Sequence, residues 1–144
     1  MKTILSAVVL LSLFASVAHA ECDGPPPVRG TAHQRLNMAR EAIDQGRNGY
    51  AFRLTRTIPG LDEATPADVA EAHAISALVY WKNGDVKHAD GELADASKSD
   101  DSAARTYFYG LKDGKLREAL QAEMDKLPKD STVAVAAGHL KTKD

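Results

Sequence analysis

Four histidines lie beyond residue 20: His33, His73, His88 and His139. A zinc or haem site would want two of them four apart on one helix, a His-Glu-x-x-His run, or a Cys-x-x-Cys pair, and none of these occurs. Each histidine therefore reads as a surface or packed imidazole. The stretch "GLKDGK" from Gly110 to Lys115 has two glycines and a lysine but lacks the preceding strand and the spacing of a phosphate loop. No Gly-x-Ser-x-Gly is present, and Cys22 is a poor nucleophile because nothing beside it would depress its pKa or hold a base. Glu63, Asp68, Asp100 and Asp101 fall where helices should start, so their expected role is to complement helix dipoles. The expectation is a protein without cofactor or metal that is not an enzyme. A small helical ligand carrier or enzyme using a cleft is the alternative, since fold alone does not exclude function.

The elements that would position such residues begin after an export signal. Lys2, the apolar run from Ile4 to Val17 and the Ala18-His19-Ala20 end predict a signal peptide over residues 1–20, and hence a periplasmic or secreted protein. That run is shorter than the roughly 18 to 20 residues a spanning helix needs, so no membrane span is expected in the mature chain. Glu21 stands where lipidation at Cys22 would want a small residue. About 124 residues follow, enough for one domain. The single cysteine excludes an internal disulfide; Cys22 either forms an intermolecular disulfide or stays a free thiol in a flexible end. A formal charge of −2 with both signs scattered along the chain argues against nucleic acid as a partner.

Residues 21–30, "ECDGPPPVRG", predict an extended leader, because three prolines hold φ near polyproline II and donate no backbone hydrogen bond. Thr31 and Gln34 form a capping-box pair, and Ala32, Leu36, Ala39 and Ile43 recur at helical spacing up to Gly46. A second helix fits from about Asn48 to Thr57, stopped by Pro59 and Gly60. Thr65-Pro66 starts a third, running to about Asn83 and apolar on nearly every face through "AISALVYW". Val86 to Lys98, Ala103 to Lys112 and Lys115 to Lys126 complete the set, with a polar break from Ser99 to Ser102 and a stop at Pro128. The tail from Ser131 to Leu140 reads as a short helix or a strand. Elsewhere no run of alternating β-branched residues appears, so the expected class is all-α.

Self-similarity organises these helices in pairs. Gly46 is followed by Ala51, Gly84 by Ala89 and Gly114 by Ala119, each at a predicted junction. Glycine there lets the first helix end in a left-handed conformation, and alanine five residues on lets the second helix cross closely. The middle copy, "AEAHAISALVYWKNGDVKHADGELADA", resembles the tetratricopeptide repeat family through Ala77, Tyr80, Gly84-Asp85, Ala89, Leu93 and Ala96. The first copy has Ala42 where the aromatic belongs, and the third has Gly110 there and bulky Tyr107 at the small-residue place.

The resemblance implies an antiparallel helix-hairpin array, a tetratricopeptide-like α-solenoid of about three repeats over residues 31–127, followed by a tail over 128–144. It also implies a concave groove, lined by the first helix of each repeat, that accepts another polypeptide or a second copy of the chain. Transferred by place in each copy, the peptide-binding residues would be Leu36, Arg40 and Ile43; Glu71, Leu78, Trp81 and Lys82; and Phe108, Leu111 and Lys112. His33, Asp44, Ala74, Asp101 and Ala104 would also face it. Such a groove would be apolar with a few charges, Trp81 would be either its anchor or a packing residue against the next repeat, and Val133 to Leu140 would fold back to fill the groove or cap the last repeat.

Overall fold

A computed structural model describes residues 28–128. The expected signal peptide, Cys22, most of the expected proline-rich leader and the tail segment expected to fold back lie outside the described residues. Within them the chain is all-α, with α1 (Ala32–Asp44), α2 (Asn48–Thr55), α3 (Pro66–Lys82), α4 (Val86–Tyr109) and α5 (Gly114–Lys126). No helix among the described residues is long and apolar enough to cross a membrane.

Local chemistry sets the helix ends. Thr31 accepts from the Gln34 amide while the Gln34 side chain accepts from the Thr31 amide, and Thr65 and Asp68 do the same ahead of α3, with Pro66 in the first turn. α4 is interrupted at Asp100, whose extended backbone (φ −163°, ψ 97°) re-aims the axis. Its carboxylate then accepts from the Ala103 amide at 2.9 Å, starting the arm 101–109 as a helix N-cap would. The polar break expected between Ser99 and Ser102 is thus a single residue.

Consecutive helices pack together, and α1 also packs against α3. The short links after α1 and α3 turn at Gly46 (φ +71°) and Gly84 (φ +76°), so each of these pairs folds back on itself. Gly114 differs from the expectation: it is the first residue of α5, its φ is not positive, and the turn before it ends on Asp113, which caps α5 through the Leu116 amide.

The core is rich in alanine. Ala39, Ala42, Ala51, Ala74, Ala77, Ala89 and Ala96 are fully buried, which lets helix axes approach closely around Leu36, Leu54, Ile58, Ile75, Leu78, Leu93, Phe108 and Leu120. Two polar side chains share this interior. Thr55 donates to the Phe52 carbonyl at 3.0 Å and lies 2.9 Å from the Ser76 hydroxyl, so the burial of both is compensated.

Nothing lies within 4 Å of where a Cβ on Gly84 would stand, so alanine there meets no clash and pays only for the left-handed backbone. Gly84→Ala should lower the unfolding free energy by about 1–2 kcal/mol, read from the urea midpoint at unchanged m-value. An unchanged midpoint would mean that the turn relaxes out of that conformation freely.

Candidate cleft between the first, third and fourth helices

The end of α1, the first two turns of α3 and the second arm of α4 enclose an open cleft of about 590 Å³. Two local devices create it. The Thr65–Asp68 box fixes where α3 begins, and the Asp100 break swings residues 101–109 away from the line of the preceding arm. Ile43, Ala67, Ala103, Tyr107 and Leu111 supply its apolar surface, while Asp44, Asp68, Glu71, Asp100, Arg40 and Lys112 supply charge.

One ion pair braces the walls. Arg40 on α1 forms a two-pronged pair with Glu71 on α3, at 2.5 Å for each contact, and its third nitrogen donates to Asn37 at 2.7 Å. Glu71 is largely buried at 14 % side-chain exposure. Its carboxylate holds the Arg40 guanidinium above its ordinary pKa, so the arginine keeps its charge at any physiological pH. Lys112 reaches Asp44 at 3.0 Å, but both are well exposed and the pair contributes little. With four carboxylates against two cations, the rim is acidic.

Tyr107 sits in this wall. Burial, reinforced by the Glu71 charge, pushes its phenol well above the usual range. It therefore stays protonated, and its hydroxyl makes no hydrogen bond within the described residues, leaving a donor for whatever enters the cleft.

Of the residues expected to bind a peptide, Arg40, Ile43, Glu71, Leu111 and Lys112 come together here. Leu36, Leu78 and Phe108 do not: they are 1 %, 0 % and 0 % exposed and belong to the core. Each lies on the stripe of its helix that faces its packing neighbours, and a side chain removed from water on all sides has no surface to offer. Trp81 is half-buried against the core and Lys82 is exposed. Both sit in the last turn of α3, about 20 Å along the axis from the first-turn residues that line the cleft. Ala74 and Ala104 are buried, His33 is exposed away from the cleft, and Asp101 bonds Arg105 and Ser97. The groove, expected to be apolar with a few charges, has apolar walls and an acidic rim.

Tyr107, Asp68 and Asp100 were not expected in the cleft, yet they line it. Tyr107 did leave a signal, since a bulky aromatic stands where a close helix crossing would want a small side chain. Asp68 and Asp100 are assigned to capping, and they do cap; both also line the cleft.

No known protein family, curated protein or solved structure matches the chain. No cluster of three or more metal-ligating side chains occurs among the described residues.

Proposed function

We propose that this chain is an exported, tetratricopeptide-like adaptor or assembly factor whose cleft holds a short segment of another polypeptide. That segment is apolar at its centre and carries a lysine or arginine. One observation carries the reading: an open cleft of about 590 Å³ with apolar walls, an acidic rim and Arg40 and Glu71 held in place by their two-pronged pair. Such a surface rewards apolar burial and selects against acidic segments. The Tyr107 hydroxyl adds one donor for a backbone carbonyl. The two cleft groups with displaced affinities, Arg40 and Tyr107, are both pushed further from neutrality, so neither is poised to pass protons. That favours holding over chemistry.

The repeat reading is supported by the left-handed Gly46 and Gly84, the fully buried Ala51 and Ala89, and the packing of α1 on α3. Export rests on the residue pattern of positions 1–20.

A library of twelve-residue peptides screened against the protein tests the proposal. Ala67 is exposed in the first turn of α3 and lines the cleft, so Ala67→Trp fills the cavity with little disturbance to the core. Selected peptides should pair apolar residues with a lysine or arginine, and Ala67→Trp should weaken them about tenfold or more while the melting curve is unchanged. Peptides that bind the variant equally well, or that are enriched in acidic residues, would overturn the assignment.

A further inference from the structure

Six of the eight arginines lie between Arg29 and Arg56, a stretch without lysine and with only Glu41 and Asp44 as acids. Two are absorbed by the fold: Arg35 donates to the Gly30 carbonyl and the Thr57 hydroxyl, and Arg40 pairs with Glu71. Arg47, Arg53 and Arg56 are exposed on and beside α2, away from the cleft, and their side chains make no hydrogen bond or ion pair within the described residues.

These three are nonetheless held in place. The Arg47 and Arg53 guanidiniums lie 5.2 and 5.5 Å from the centre of the Tyr50 ring, and Arg56 lies 5.5 Å from that of Phe52. Phe52 in turn packs edge-on against Tyr80 at 5.1 Å, and Tyr80 stacks on His88 at 5.2 Å. A guanidinium over a ring keeps its N–H edge free, and that planar fork matches a carboxylate in two-pronged fashion. Glu92 and Asp95 border a hollow shared with Arg56, but Glu92 bonds His73 and neither pairs with the arginine.

We infer that Arg53 and Arg56, with Arg47 at the N-cap, form a second binding surface, one that takes an extended acidic polypeptide segment. Arg53 and Arg56 stand three residues apart, about 60° around the axis of α2 from each other, and Arg47 shares the Tyr50 ring with Arg53. Carboxylates on alternate residues of an extended chain lie about 7 Å apart, so successive ones can meet neighbouring forks. Charge decides the sign of the partner and the surroundings decide its class. A bilayer would want large exposed apolar side chains beside the cations. The exposed ones, Met38, Val86 and Tyr109, lie on other helices. Single-stranded nucleic acid would want open aromatic faces for its bases. Here guanidiniums already lie over Tyr50 and Phe52.

The test is fluorescence anisotropy with a labelled ten-residue peptide of alternating glutamate and serine, run beside its glutamine counterpart, a single-stranded oligonucleotide and phosphatidylglycerol vesicles. The glutamate peptide should bind with an affinity that falls as salt rises, and the glutamine peptide should not bind. Replacing Arg47, Arg53 and Arg56 together by glutamine should weaken it about tenfold or more. Replacing all three by lysine, which keeps the charge but not the fork, should weaken it several-fold. Ala67→Trp in the cleft should leave it unchanged, which separates this surface from the first. Since the three side chains are exposed, all variants should keep the wild-type helical signal. Equal binding by the glutamine variant, an absence of binding at low salt, or tighter binding of the oligonucleotide or vesicles would each overturn the inference.

Discussion

Phe108→Ala should lower the unfolding free energy by about 3–5 kcal/mol, the range for truncating a fully buried aromatic side chain. Phe108 has no exposed surface and packs edge-on against Tyr107, with ring centres 5.6 Å apart. Domains of this size hold only about 5–15 kcal/mol in total, so the loss would remove a large share of the stability. Urea denaturation followed by helical circular dichroism measures the effect. The same experiment separates two roles that the sequence left together. Were Phe108 a groove residue, its truncation would remove binding and leave the denaturation curve in place. As a core residue it should shift the curve, with binding falling only as far as the folded fraction falls. A stable variant that has lost binding would place Phe108 in the cleft and undo the description of the core.

Phe108 also shows why the fold was more legible than the site. Helix ends depend on residues three apart, as with Thr31 and Gln34 or Thr65 and Asp68, and such pairs stand next to each other in the sequence. The turns at Gly46 and Gly84 were legible for the same reason. Which face of each helix turns inward is a different question, because Tyr107 and Phe108 are neighbours whose side chains point about 100° apart. One lines the cleft and the other fills the core. Choosing between them requires knowing what lies opposite, and the partners are remote: Glu71 is 31 residues from Arg40, and Lys112 is 68 from Asp44. Transfer by repeat position placed the groove along the whole inner face. The single extended residue at Asp100 concentrated it at the first turns of α3 instead, leaving Trp81 and Lys82 at the far end. The arginines around α2 passed as part of a scattered charge pattern, because their ordering over Tyr50 and Phe52 appears only once the chain is folded.

Ala89→Leu should lower the unfolding free energy by about 1–3 kcal/mol, and by more if the helices cannot separate. Ala89 is fully buried in the first turns of α4, five residues past the left-handed Gly84, where α4 folds back on α3. Leucine adds three carbons to a contact that has no room for them, so the axes must part or the side chain must leave its rotamer. Ala119 is the control that gives the result its meaning. It occupies the corresponding place after Gly114, yet it is half-buried and the glycine before it is an ordinary helical residue. Ala119→Leu should therefore change stability by no more than about 0.5 kcal/mol. Thermal melts of both variants settle the comparison, since a domain of about 100 residues moves by roughly 4–8 °C for each kcal/mol. If both substitutions cost the same, the third hairpin closes as tightly as the second and the irregular link before α5 is incidental. If neither does, close approach of the helices is not what alanine supplies, and the glycine and alanine pattern loses its physical basis.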